Sequence, residues 1–184
     1  MNPWAHLPVV CFLSACATCT ERLVPPGCPK EYIQRQQAAQ PLESGTCRRF
    51  HVDATQEWTG SGVDTAQGQR YRLRVLEVVT PWIDSWVQST PEGGWGGIWK
   101  LGSPFATWKA RAPSAPMYGL VCSFERSDES AWPLSEDSRR EVAGRGDELS
   151  CFANDWPGRY SNNCGCALVE ACRERGVVTP EDPF

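Results

Sequence analysis

Ten cysteines in 184 residues, at positions 11, 16, 19, 28, 47, 122, 151, 164, 166 and 172, constrain this chain more than any other feature. So many thiols are not kept in a reducing cytosol without a metal. A structural zinc site asks for two CxxC-like pairs, or for one pair with two histidines. Here Cys16 and Cys19 form the single CxxC, Cys164 and Cys166 a CxC, and His51 has no histidine near it. Spacing this irregular predicts disulfides and an oxidising compartment. It does not fix the connectivity. The expected pattern has Cys19, Cys28 and Cys47 stapling the N-terminal segment, one of them to Cys172. Cys122 and Cys151 are expected to bridge neighbouring strands.

The N-terminus points to the same compartment. Residues 1–16 read MNPWAHLPVVCFLSAC, with a short apolar stretch from Leu7 to Ala15 followed by a polar segment. That is the length and flank of a secretory signal, too short for a transmembrane helix. Leu13-Ser14-Ala15-Cys16 resembles the lipobox of bacterial lipoproteins, although MNPWAH lacks the usual Lys or Arg. The resemblance implies cleavage before Cys16, a lipid on Cys16, and a protein anchored in a bacterial cell envelope, periplasmic or surface-exposed. Cleavage would remove Cys11 and lipidation would use Cys16, leaving an even number of cysteines to pair.

Charge narrows the partners. Eighteen Lys+Arg against 22 Asp+Glu give 18 − 22 = −4, without the basic stripe of a nucleic-acid binder. Hydrophobic residues at 41% are enough for a core, and nine Trp, 16 Gly and 15 Pro favour short elements joined by turns. The expected organisation is a signal over 1–15, a tether over 16–47 with one short helix near Glu31–Ala39, one β domain over 48–174, and a tail over 175–184.

Within that domain, RRFHVDA alternates with Phe50 and Val52 on one face. Arg70–Val79 sets Tyr71, Leu73 and Val75 against Arg70, Arg72 and Arg74, a half-buried strand with a solvated Arg face. Met117–Phe124, Glu148–Ala153 and Cys164–Arg173 are further strands. WTGSGVDTAQGQ reads as turn-rich, and residues 88–116 as one long Gly/Trp/Pro loop. Several short strands at this spacing predict an all-β fold, an antiparallel β-sandwich stabilised by disulfides.

The densest polar constellation is Asn154-Asp155-Trp156-Pro157-Gly158-Arg159-Tyr160-Ser161-Asn162-Asn163. One reading is a hairpin connection built from good turn residues. The other is a hard-cation site, since a carboxylate, two amide oxygens and nearby carbonyls in one loop are what calcium takes.

The segment FANDWPGRYSNNCGCALV resembles the calcium- and galactose-binding loop of LecA-like bacterial lectins, small jelly-roll sandwiches. The shared positions are Asn154, Asp155, Pro157, Gly158, Tyr160, Asn162, Asn163 and Gly165, with more diffuse likeness over residues 48–173. The resemblance implies a calcium ion held by the Asp155 carboxylate, the Asn162 and Asn163 side chains, the Arg159 carbonyl, and a carbonyl of Asp84 or Ser85. It also implies a sugar diol completing the shell beside Asp155, Trp156, Asn162 and Asn163. The family's His-Pro-x-Gln stretch is missing between residues 84 and 116, Trp156 replaces a small residue, and Arg159 is long enough to lie over the pocket. Calcium is therefore better supported than galactose. Trp95, Trp99 and Trp108 are available as faces for a sugar ring, as core, or as a protein-binding patch.

Catalysis lacks a motif. His51 sits in an alternating strand with no nucleophile pattern, and Glu136-Asp137 and Asp147-Glu148 are adjacent charges rather than convergent acids. The expectation is a non-enzyme. Its first form is a tethered calcium-dependent carbohydrate-binding module. Its second is a periplasmic protein-interaction lipoprotein, such as a toxin-neutralising immunity protein.

Overall fold

The computed structural model describes residues 27–32, 38–134 and 140–177, with side chains up to residue 175 at the C-terminal end. The expected signal segment, Cys16 and Cys19 lie outside the described residues. In chain order the first strands are β1 (Gln40–Pro41), β2 (Cys47–Asp53), β3 (Thr59–Asp64), β4 (Gln69–Asp84), β5 (Val87–Thr90) and β6 (Gly94–Trp95). A short helix α1 (Ser103–Thr107) precedes β7 (Leu120–Phe124), β8 (Trp132–Pro133), β9 (Arg140–Ala143), β10 (Glu148–Ala153) and β11 (Asn163–Val177).

These strands make two sheets. One runs β1-β3-β10-β7-β8, the other β2-β11-β4-β5-β6, with β9 added to β4. Every pairing is antiparallel except β1 with β3. The inner faces share one apolar core. Phe50, Val52, Tyr71, Leu73, Ala167 and Val169 meet Val63, Leu120, Phe124 and Leu149 from the other sheet. The fold is an all-β, largely antiparallel sandwich, as the alternation predicts.

Tyr71 and Leu73 are fully buried, whereas the Arg side faces water and pairs with acids. Arg74 and Arg49 both bind the buried Glu170, at 2.6 and 3.0 Å. Arg72 reaches Glu174 at 3.0 Å.

Three disulfides lie among the described residues. Cys47–Cys172 and Cys122–Cys151 join residues directly opposite one another on paired strands. Cys28–Cys166 fastens the segment before β1 to β11. Cys164 is disulfide-bonded as well, so no described cysteine keeps a thiol. Such a chain belongs to an oxidising, extracytoplasmic compartment.

Several expectations are corrected. The turn-rich reading of WTGSGVDTAQGQ fails at Thr59–Asp64, which forms β3 inside a sheet. Its glycines hid the strand: Gly62 takes φ 67°, but Ser61 and Val63 still alternate inward. Residues 88–116 are not one loop. They hold the β5–β6 hairpin, a 3-10 turn over Gly97–Leu101, and α1 with Pro104 in its first turn. The strand expected from Met117 begins at Leu120, because Tyr118 is left-handed (φ 59°). The helix expected near Glu31–Ala39 falls mostly outside the described residues; at its ends a 3-10 turn covers Lys30–Tyr32 and residues 38–39 are irregular. Part of the expected tether is docked, with Leu42 buried in the core and its carbonyl bound by Arg173.

The core narrows at Gly165, whose φ of 143° suits glycine. A Cβ there would stand 2.7 Å from Trp82 Cε3 and 3.1 Å from Trp82 Cα. Trp82 is itself fixed, since its indole N–H donates to the Tyr118 carbonyl at 2.8 Å.

Three outcomes are expected. Thiol counting on denatured, unreduced protein will find none of the seven described cysteines free, and six or more titratable thiols would contradict the bridges. Replacing both Cys122 and Cys151 by Ala opens a closure spanning 29 positions, which costs about 3 kcal/mol in urea unfolding. Separately, Gly165→Ala is expected to cost about 2–4 kcal/mol through the Trp82 clash and backbone strain, read as a lowered unfolding midpoint.

Candidate cation site

The residues singled out in the sequence come from two places in the chain. Asp84 ends β4 and Ser85 follows it, while residues 154–162 connect β10 to β11, which Asn163 opens. The β4–β11 ladder places Asn163 directly opposite Asp84. The Ser85 N–H then donates to the Asn162 carbonyl at 3.0 Å, closing the corner, with Ser85 left-handed at φ 54°.

Asn154 sets the entry to the connection. It is fully buried, and its amide N–H groups donate to the carbonyls of Ala112, Ala115 and Pro116 at 3.0, 3.3 and 3.1 Å. Its side-chain oxygen accepts from Ala112 N at 2.9 Å. Such a clamp satisfies a whole turn of backbone without water. Tyr160 closes the other side by donating its hydroxyl proton to the Ala153 carbonyl at 3.0 Å. Burial pushes the Tyr160 phenol up to about 12.

Between these supports lie two buried carboxylates. Asp84 accepts from the Trp95 indole N–H at 2.9 Å and from the Asn162 amide at 2.7 Å. The same amide donates to Ser85 Oγ at 2.7 Å. Asp155 accepts from the Trp156 backbone N–H through Oδ1 at 2.6 Å. Its other oxygen, Oδ2, is buried with no hydrogen-bond partner, and so is Asn163 Oδ1. The Asn163 amide nitrogen donates to the Ala54 carbonyl at 3.2 Å.

Burial raises the Asp84 carboxyl above its ordinary range despite the bonds from Trp95, Ser85 and Asn162. Burial and then the Asp84 charge push Asp155 up to about 6, against the pull of the Trp156 amide, Asn163 and Arg159. Tyr118 lies against both acids, and burial together with their charges raises its phenol well above the usual value. Two buried carboxylates, with an orphaned carboxylate oxygen and an orphaned amide oxygen, form an acceptor-rich site. A hard divalent cation fits that donor set.

The residues named from the sequence divide accordingly. Asp155, Asn162, Asn163, Asp84 and Ser85 are neighbours. Arg159 is exposed; its N–H bonds the Trp156 carbonyl at 3.1 Å and its charge acts on Asp155. Trp156 is spent on packing, its indole N–H donating to the Ala106 carbonyl at 2.9 Å beside Ala110 and Met117. Trp95 serves Asp84, Trp99 packs edge-on to Trp86 at 4.3 Å, and Trp108 is 69% exposed.

Sequence reasoning counted only the backbone of Asp84. Its carboxylate and the Trp95 donor were missed, and no sequence signal pairs Asp84 with Asp155 across 71 positions (155 − 84). One other cluster has metal-ligand spacing among the described residues, Cys47, Glu170 and Cys172. Both sulfurs are spent in a disulfide and Glu170 is held by two arginines, so it is not a metal site.

The raised Asp155 sets the sign of a pH effect. A folded-state pKa of about 6, above the unfolded value, means the folded protein binds the extra proton, so stability falls as pH rises through that window. In chelator, the parent is expected to lose on the order of 2–3 kcal/mol between about pH 4 and pH 7 relative to Asp155→Asn. Urea midpoints of the two proteins across that range are the check; parallel curves would remove the buried charge from the account. No protein-family model matches this chain and no curated protein matches it, so the functional reading rests on the geometry of Asp84, Asp155, Asn162 and Asn163.

Proposed function

We propose that the protein is a calcium-dependent, lectin-like carbohydrate-binding module, anchored in a bacterial envelope through a lipid on Cys16. The observation that carries this reading is the pair of buried acceptors without donors, Asp155 Oδ2 and Asn163 Oδ1, beside a second buried carboxylate. Calcium answers both deficits at once, by neutralising the acids and by satisfying the oxygens. The Asn162 amide, whose two ends exchange by a simple flip, turns its oxygen inward when the ion replaces Asp84 as its partner. With both acids ionised the loaded site is close to neutral, so a neutral diol suits the remaining positions better than an anion. The LSAC sequence and the oxidised cysteines support export. No described helix is long and apolar enough to cross a membrane.

The second reading, a protein-interaction module of the immunity-protein kind, draws on a different observation. Ile98, Leu101, Phe105 and Trp108 are 69–81% exposed, and exposed apolar patches mark contact surfaces.

The test is thermal unfolding in millimolar calcium against chelator. At a hundredfold excess over Kd, binding stabilises by about 2.7 kcal/mol, a shift of about 5–10 °C for a chain this long. Asp155→Asn and Asp84→Asn are each expected to lose most of that shift without lowering the ion-free midpoint, because each relieves a buried repulsion. Asn162→Ala and Asn163→Ala are expected to reduce it, and Arg159→Ala to keep it. Retention on a galactose resin in calcium, with release by chelator, tests the sugar. A calcium shift without retention on any glycan would leave a structural ion. The absence of any shift would put the interaction module first.

A further inference from the structure

The excursion between β6 and β7 is built inside out. Its inner side is well fixed. Ala106 and Ala110 pack with Met117, Trp95 and Trp156, and Ser103 Oγ accepts from Met117 N at 3.3 Å. Its outer side carries the largest apolar exposure among the described residues. Ile98 is 76% exposed, Leu101 and Phe105 each 81%, and Trp108 69%, with Trp86 and Trp99 at the margin. An open groove of about 570 Å³ lined by Trp86, Gln88, Ile98 and Trp99 continues this surface. The side chains stand on a 3-10 turn and a single helical turn with Trp108 at its end, which together form the outer tip of the excursion.

Charge at the tip is opposite to that of the molecule. No Asp or Glu occurs from Gly93 through Phe124, whereas Lys100, Lys109 and Arg111 do, in a chain of net charge −4. Arg111 is answered by Asp128 at 2.7 Å. Lys109 stays at the tip, its ammonium 4.7 Å from the Trp108 ring centre and 5.2 Å from that of Trp156.

We propose that the 97–109 tip docks into the headgroup layer of a phospholipid bilayer bearing anionic lipid. Trp and Phe beside Lys, with aliphatic side chains leading, is the composition of interfacial segments. Lysine favours the surface of an anionic leaflet. A protein-contact core, by contrast, is depleted in Lys. The tip supplies both the apolar wedge and its counter-charge. The inference is independent of calcium at Asp84 and Asp155, and it holds with or without a lipid on Cys16.

The experiment is co-sedimentation of the full chain, carrying Cys16→Ser so that no lipid can be attached there, with vesicles in chelator. Vesicles of equimolar phosphatidylcholine and phosphatidylglycerol are compared with phosphatidylcholine alone. The parent is expected to bind the anionic vesicles about tenfold more tightly, and to lose that preference in high salt. The triple variant Leu101→Ser, Phe105→Ser, Trp108→Ser shares the parent's N-terminus and changes only exposed side chains. It is expected to lose binding by about tenfold or more with an unchanged unfolding midpoint. Equal vesicle binding by parent and triple variant overturns the proposal. So does self-association of the parent that the triple variant abolishes without vesicle binding, which would make the tip a contact between two copies.

Discussion

The register between β4 and β11 is the constraint on which the rest depends. It sets Asp84 opposite Asn163, and everything charged at that end of the sandwich follows from it. Two carboxylates and two amides arrive in a dry corner with fewer donors than acceptors. In water such a cluster would be solvated; between packed strands it is a local cost that only a cation, or protons, can offset. The Trp95 indole, the Asn162 amide and the Trp156 N–H each meet part of the demand. None reaches Asp155 Oδ2 or Asn163 Oδ1.

A fold that keeps such a corner needs surplus stability elsewhere. The cross-strand disulfides supply it by restricting the unfolded chain, and each anchors β10 or β11, the strands on either side of the Asp155 connection. β11 is bonded along β2 and β4 and is further tied by Cys166 to the segment before β1. Asn154 does for the neighbouring turn what the disulfides do for the strands. It converts a polar loop into a fixed wall with every amide hydrogen used. The tip over 97–109 is fixed on its inner side, while Ile98, Leu101, Phe105 and Trp108 stay largely exposed on its outer side.

Much of the architecture was legible because alternation is a local signal. Phe50 with Val52, and Tyr71 with Leu73, face inward as their period-two spacing predicts. Oxidation of the cysteines and a Cys122–Cys151 bridge between neighbouring strands were legible too, whereas the sequence left open which of Cys19, Cys28 and Cys47 meets Cys172; the β2–β11 register decides for Cys47. β3 was hidden because Gly60 and Gly62 read as turn residues, although the sheet positions them by its own hydrogen bonds. The hairpin and helix inside 88–116 were hidden because short elements carry too few periodic residues to register.

For the candidate site, the sequence by itself determined the donor types and one half of the geometry. Asp155, Asn162 and Asn163 lie within nine consecutive residues whose Pro157-Gly158 turn returns the chain on itself. The tertiary structure decided the other half. It brought in the Asp84 carboxylate from 71 positions away (155 − 84), and it committed Trp95 to Asp84 and Trp156 to Ala106. It also turned Ile98, Leu101, Phe105 and Trp108 outward. The physical reason is the range of the information. Residue type and local turn chemistry are written along the chain, whereas charge pairing, burial and the choice of which aromatic faces water depend on strand register.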